Sequence, residues 1–339
     1  MLSSKKNGLQ EANKNQDGGG VIQGLIQKVG LQKIIAIIVL FLIYGFFAAA
    51  SPMFRSTQTL VSIFDASYFV GFLAIGATFV IITGGIDLSI GTVMMCSAII
   101  GGVLYNEVGF PLWLSLLVMV LVGSLFGLIN GLLVAKYKLP AFIATLGTMM
   151  VSTGLGSIIS RVRSVSFPLR GSESGWFRGF FRSETNFPTG IVVMVVFALL
   201  AGIVLQKTKL GRYIFSIGSN SEATRLSGVN VVKWQTLAYV ISGFFAGVAG
   251  IAYAAIYTTI LPGSGGGMEL DAIAAVVVGG TSLAGGVGSI LGTVVGVFIM
   301  AVLRIGLPFI DLQPHYQTFI TGFVVILAVY ADIYRNRKK

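Results

Sequence analysis

Long apolar runs alternate with short polar stretches along the chain, and the runs have the length of bilayer crossings. A hydrocarbon core takes about 20 apolar residues per helix, within roughly 17–25. Runs of that kind lie at 33–50, 66–83, 89–106, 112–135, 141–160, 188–206, 234–256, 286–306 and 315–332. A shorter run, 270–283, reaches only ~21 Å at about 1.5 Å per residue, so it predicts a half-helix buried against protein. The pattern predicts an all-α, polytopic transmembrane helical bundle over 31–333. Residues 1–30 open with a polar stretch rich in Asn, Gln, Gly and Lys and predict a disordered tail. Ile34–Ala50 followed by Ser51 resembles a signal peptide, but its polar leader is long and carries Glu11 and Asp17, so the run is expected to stay as a first helix.

Charge then orients the spans. Lys5, Lys6, Lys14, Lys28 and Lys33 precede the first run, and Lys136 and Lys138 fill the loop 136–140. Lys207, Lys209, Arg212, Arg225 and Lys233 lie in 207–233, and the basic C-terminus, 334–339, holds Arg335, Arg337, Lys338 and Lys339. The positive-inside rule places all of these in the cytoplasm. Two basic segments on one side need an even number of crossings between them, so 270–283 must also cross, giving ten helices with both termini inside. Arg161, Arg163, Arg170, Arg178 and Arg182 break the pattern in an outer loop, 161–187. That loop is either simply solvated or a docking surface for an acidic partner. Its aromatic residues Trp176, Phe177, Phe180 and Phe181 are either interfacial anchors or a sugar-stacking surface.

Composition sharpens this picture. Of 339 residues, 55% are hydrophobic and 10% charged, too few charges to coat a water-soluble surface. The net charge of +11 flanks apolar spans, so it reads as topology and not as a nucleic-acid patch. One cysteine (Cys96) and one histidine (His315) exclude an intrachain disulfide and a clustered Cys/His metal site. No phosphate-binding G-x-x-x-x-G-K-[ST] loop and no hydrolase motif is present, so the chain is not expected to be an enzyme or to bind a cofactor.

Several short patterns suggest where chemistry or movement could sit. Glycines recur four apart at Gly123, Gly127 and Gly131, at Gly243 and Gly247, and at Gly288, Gly292 and Gly296, spacing that lets helix backbones approach closely. Segment 82–91, ITGGIDLSIG, resembles segment 277–286, VVGGTSLAGG, and paired Gly-interrupted apolar segments point to a transport site. Intramembrane ionisable residues are few: Asp65, Asp87, Glu269, Asp271 and Arg304. Asp87 and Asp271 are either helix caps or functional groups. In Gly218–Gly228, Ser219 with Glu222 reads as a capping box and Gly228 as a left-handed stop around a short helix showing Ala223 and Leu226. So short a helix is marginal alone in water, which predicts docking on another protein.

The chain resembles the ribose/galactoside family of ABC-importer permeases through Gly84–Gly91 (GGIDLSIG), Asn130–Ala135 (NGLLVA) and Pro140–Thr148 (PAFIATLGT). Gly211-Arg212, Gly218-x-Asn220-x-x-Ala223, Glu269–Gly280 (ELDAIAAVVVGG) and Gly285-Gly286 continue the likeness in family order. The resemblance implies a bacterial cytoplasmic-membrane permease passing a monosaccharide by alternating access. It implies a second permease copy, cytosolic ATP-binding subunits that carry ATP and Mg, an extracytoplasmic sugar-binding protein and membrane lipid as partners. It assigns coupling to the ATPase to Asn220, Glu222, Ala223, Arg225, Leu226 and Gly228. Pathway or gating candidates are Gly84, Gly85, Asp87, Ser89, Asn130, Glu269, Asp271, Gly279 and Gly280, and the loop arginines become candidates for docking the binding protein. Rival readings are the same architecture carrying a nucleoside or a branched-chain amino acid, an ion-coupled secondary transporter, and an integral-membrane enzyme.

Overall fold

The computed structural model describes residues 31–181 and 188–336. The expected tail over 1–30, Arg182, and residues 337–339 at the C-terminal tip lie outside the described residues. Each of the nine long predicted runs falls on a helix, beginning with α1 Leu31–Ala50, α2 Thr57–Ile82, α3 Ile90–Asn106, α4 Leu112–Gly131, α5 Ala141–Ile159 and α6 Gly190–Lys207. Two short helices follow, α7 Lys209–Ser219 and α8 Ser221–Leu226, then α9 Val231–Tyr257, α10 Met268–Val278, α11 Ile290–Gly306 and α12 Pro314–Asn336. A two-residue antiparallel pairing, Val165↔Ile260 and Ser166↔Thr259, ties the loop after α5 to the end of α9. Among the described residues, six helices are long and apolar enough to cross a membrane, and Ile34–Ala50 within α1 and Ile90–Asn106 are shorter apolar stretches.

Hydrophobic pattern sets what each helix touches. Every residue of α2 from Asp65 to Ile82 is buried, as expected for a helix that is apolar on all sides and therefore enclosed by protein. Its neighbours are α9, α11, α10 and α6. By contrast, α4 leaves Leu117, Leu121, Leu125 and Leu128 exposed along one stripe at helical spacing. Such a stripe suits lipid or another apolar helix.

The four-residue glycine rows are packing surfaces. A Cβ at Gly123 or Gly127 of α4 would strike backbone of α9 at Gly243, Gly247 and Tyr239, and one at Gly131 would come within 2.7 Å of Thr236 Cα. Gly292 and Gly296 of α11 stand equally close to the backbone at Gly279 and Ala275 of α10. Removing side chains brings helix axes together and replaces lipid contact with dense van der Waals contact.

The structure corrects three sequence expectations. The second helix starts at Thr57, well before 66, because the Ser56 side chain accepts a hydrogen bond from Thr59 N at 3.2 Å and caps a polar first turn that hydropathy alone passes over. The run 270–283 is not one helix: α10 ends at Val278, and Gly280 (φ 91°), Gly285 (φ 87°) and Gly286 (φ 72°) make the following turn. Asn220, not Ser219, caps α8. Its side chain accepts from Ala223 N at 2.9 Å, while Ser219 completes α7.

Gly127→Val should destabilise the protein by about 1–3 kcal/mol through overpacking against Tyr239. Gly147→Ala, on α5 where an added Cβ meets nothing within 4 Å, should be neutral or stabilising by up to about 1 kcal/mol. Unfolding of the two variants in mixed detergent micelles measures the contrast.

Candidate functional site

Two features occupy one end of the bundle, the end where α2 finishes and α3 begins. The first is a buried polar knot around Asp87, which is 3% exposed. Asp87 Oδ1 accepts from Ser89 N at 3.1 Å, Ser89 Oγ at 2.7 Å and Asn130 Nδ2 at 3.4 Å. Its Oδ2 accepts from Ser242 Oγ at 3.0 Å. Asn130 Nδ2 also donates to Ser89 Oγ at 2.8 Å, and its Oδ1 accepts from Thr148 Oγ1 at 2.6 Å. The start of α3 is thereby bonded to α4, α5 and α9. Burying a carboxylate is costly unless donors surround it, and here Ser89 at the start of α3, Asn130 of α4 and Ser242 of α9 supply them. Asp87 bonds the turn just before α3 and does not cap a helix end in the expected way.

The second feature is a junction of three backbone turns. The end of α2 and the end of α10 stop identically. Gly84 N donates to Ile81 O at 2.9 Å and Gly85 N to Val80 O at 3.2 Å, while Gly280 N donates to Val277 O at 2.9 Å and Thr281 N to Val276 O at 3.2 Å. Both stops use a left-handed glycine, Gly84 (φ 79°) and Gly280 (φ 91°), which lets the turn close without a Cβ clash. The repeat seen in the sequence is therefore real in three dimensions, shifted by one residue from the letter-by-letter match. Gly286 N donates to Ile82 O at 2.8 Å, joining the two turns. Gly218, near the end of α7, packs between them, where an added Cβ would strike Ile82 O and lie 2.5 Å from Gly286 N.

From this junction α8 stands outward. Thr224 is buried and its Oγ1 lies 2.7 Å from Ser216 Oγ, which fixes α8 to α7. Glu222, Ala223, Arg225 and Leu226 are all exposed, Leu226 at 74%. Glu222 and Arg225 form a two-point ion pair at 2.5 and 3.1 Å. The Arg225 guanidinium holds the Glu222 carboxyl below the usual carboxylate range, chiefly by hydrogen bonding and then by charge. Because the folded value is depressed, the pairing contributes above the ordinary carboxylate range and fades as pH falls through it. Gly228 ends the segment at φ 81°.

The remaining candidates lie elsewhere. Gly279 packs on Gly292 at the junction side of α10, whereas Glu269 and Asp271 occupy the first turn at its opposite end. Glu269 Oε1 accepts from Gly267 N at 2.9 Å, and Asp271 Oδ2 lies 3.9 Å from Arg304 Nη1. Asp271 thus faces a cation and caps nothing. In the loop after α5, Arg161, Arg163 and Arg170 are exposed. Arg178 is not a surface charge: it is 6% exposed and donates from Nε to Pro168 O at 2.6 Å and from Nη1 to Ala255 O at 2.8 Å. It clamps the loop to α9. Phe177 and Phe181 are buried anchors, while Trp176 and Phe180 are exposed and meet edge to face at 5.9 Å. Sequence reading missed Ser242 and Tyr239, whose hydroxyls bond Asp87 and Ile86 O. Single polar residues inside a long apolar run such as 234–256 were the available signal.

The family model described as "Branched-chain amino acid transport system / permease component" matches residues 59–329. The ribose import permease protein RbsC of Escherichia coli is 37% identical over 308 residues, 90% of this chain and 94% of that protein. The galactose/methyl galactoside import permease protein MglC of Haemophilus influenzae is 35% identical over 89% of this chain and 94% of its own length. The fructose import permease protein FrcC of Rhizobium meliloti is 37% identical over 82% of this chain and 79% of its own length. No solved structure matches the chain.

Asp87→Asn keeps the accepting Oδ1 and offers Ser242 a donor in place of an acceptor, which the hydroxyl can accommodate, so it should cost less than about 1 kcal/mol. Asp87→Ala leaves Ser89, Asn130 and Ser242 without their common acceptor and should cost about 2–4 kcal/mol. Unfolding midpoints of the purified variants give the comparison.

Proposed function

This chain belongs to the family of branched-chain amino acid transport system permease components, and from that premise we propose that it is the membrane subunit of an importer for a monosaccharide. The family description names amino acids, but relatives matched over 79–94% of their own length are named for ribose, galactose and fructose. Pentoses and hexoses share a compact ring edged with hydroxyls, so the sugar class is the common denominator.

The observation that carries the mechanism is α8. It is a capped, salt-bridged helix that exposes an apolar Leu226 beside a charged pair, on a chain with no nucleotide-binding loop of its own. Such a surface suits a groove on a cytosolic ATP-binding subunit, which would hold ATP and Mg. In this reading the chain crosses the bacterial cytoplasmic membrane ten times, α10 contributing a short crossing shielded by protein, with both termini in the cytoplasm. Two copies enclose the pathway, lipid covers the outward leucine stripe of α4, and a sugar-binding protein delivers cargo from outside. Arg161, Arg163 and Arg170 then face that protein as docking charges. Closure of the ATP-binding subunits pushes α8, and the junction at Gly218 passes the movement to the ends of α2 and α10. A ligand or partner shifts such an equilibrium only through contacts that differ between its states, and α8 is the element built to make them.

Replacing Glu222, Ala223 and Leu226 together should lower sugar uptake by at least about tenfold, as loss of a coupling contact worth over 1.4 kcal/mol implies, while membrane insertion stays normal. Uptake at the normal rate by the triple variant, in vesicles carrying the full importer, rules out this coupling role. Reporter fusions should also place 207–233 and 161–187 on opposite sides of the membrane.

A further inference from the structure

The loop after α5 carries exposed aromatic rings on a firmly held base. Its 3₁₀ helix, Glu173–Phe180, has two unlike faces. Gly175, Phe177 and Arg178 are buried, whereas Trp176 and Phe180 are 50% and 56% exposed and the nearby Leu169 is 66% exposed. The buried face is fixed at several points. Phe177 lies 6.1 Å from the Phe167 ring, and a Cβ added at Gly175 would strike Leu169 O. Arg178 donates to Pro168 O and Ala255 O. Phe181, which follows the helix, packs on Tyr68 and Phe72 at 6.3 and 6.4 Å.

These contacts set where the exposed face stands. Tyr68 and Phe72 belong to α2, which protein encloses, and Ala255 belongs to α9. Phe167 covers Gly102 of α3, its ring 3.1 Å from where a Cβ there would sit. The loop thus caps interior helices. Aromatic anchors of the headgroup layer belong on the lipid-facing rim of a bundle, and this base lies inside that rim. Trp176 and Phe180 meet edge to face at 5.9 Å, so they offer apolar area at small entropic cost. Cations adjoin them: Gly175, beside Trp176, packs so closely that its Cβ would lie 3.3 Å from Arg170 Cα. Arg161, Arg163 and Arg170 are exposed in this loop against one exposed carboxylate in 161–181, Glu173. Aromatic residues at the centre of a patch and charge at its rim are the make-up of a protein-binding hot spot.

Resting on the importer reading above, we propose that Trp176 and Phe180 are the apolar anchor by which the sugar-binding protein docks on this chain. The surface fits a partner with an apolar recess edged by Asp and Glu. The two kinds of residue do different work. Exposed arginines attract an acidic surface over a distance that salt shortens, which speeds encounter. The aromatic pair loses water only on contact and therefore slows departure. Arg178 touches no partner; it is a positioning residue that holds the base of the patch to α9.

The test uses the full importer in lipid nanodiscs, with its ATP-binding subunits, titrated with its sugar-loaded binding protein while ATP hydrolysis is followed. Trp176→Ala and Phe180→Ala should each raise the concentration giving half-maximal stimulation about tenfold or more, the loss that a central aromatic contact carries. The rate at saturation should change less than about twofold. Added salt should weaken docking of the wild type and of Trp176→Ala by the same factor, since the charges remain. In a second measurement, Gly179→Cys sets a thiol beside Phe180, where an added Cβ meets nothing within 4 Å. The single native cysteine, Cys96, is 1% exposed. A sulfonated, water-soluble maleimide should label the new thiol. The loaded binding protein, at a concentration half-saturating for the wild type, should slow that labelling, and Trp176→Ala should remove the protection. Wild-type hydrolysis that the loaded binding protein does not stimulate refutes the importer reading itself. Where stimulation is seen, an unchanged half-maximal concentration in both aromatic variants, or labelling that the binding protein does not slow, overturns the anchor alone. A thiol reached only by a lipid-soluble maleimide puts the pair in the membrane and overturns it too. A lower rate at saturation with an unchanged half-maximal concentration assigns these rings a structural role, with the same consequence.

Discussion

Contact of backbone against backbone is the constraint on which the rest of this molecule depends. In lipid the hydrophobic effect does not drive helices together, so association must come from dense packing and from polar groups that find partners. The chain meets that demand by removing side chains where helices cross. Gly123 and Gly127 admit α9 to the surface of α4, and Gly292 and Gly296 admit α10 to α11. The same device joins three turns at Gly218, Gly84 and Gly286. Interfaces built this way resist sliding, because any shift drives atoms into a neighbouring main chain.

Polar groups complete the arrangement. The Asp87 knot binds four elements with hydrogen bonds that have no aqueous competitor, and a network satisfied throughout fixes one geometry. It sits beside the glycine junction, so the end of the bundle that carries α8 is stiff by both packing and hydrogen bonding. The opposite end is built differently. There, the Asp271–Arg304 pair is longer than a hydrogen bond and partly exposed, and the loop is held by Arg178 and by a two-residue strand pairing. One end is thus packed and hydrogen-bonded throughout, while the other is held by fewer polar contacts.

Much of this was legible in the sequence because membrane crossing imposes strong local signals. Apolar runs gave every long helix, and a 14-residue run was enough to mark α10 as short. The candidate residues Gly84, Gly85, Asp87, Ser89 and Asn130 do converge, since they lie close to one helix start and its neighbour. What escaped was set by tertiary contact. Nothing local says that Ser242 reaches Asp87, or that Arg178 turns inward to carbonyls while Arg161 and Arg163 remain exposed. The cap of α8 fell one residue away from expectation because Ser219 and Asn220 are both good caps, and the length of α7 decides between them. The one-residue offset between the two glycine turns has the same origin: helix length, not letter identity, sets which glycine takes the left-handed position.

The central claim is that movement of α8 reaches the membrane helices through the backbone contact at Gly218. Gly218→Ala inserts one methyl group between Ile82 O and Gly286 N and leaves the exposed face of α8 untouched. With the full importer in vesicles, the account predicts that this variant still hydrolyses ATP yet imports little sugar per ATP consumed. An unchanged ratio of sugar imported to ATP hydrolysed would contradict it.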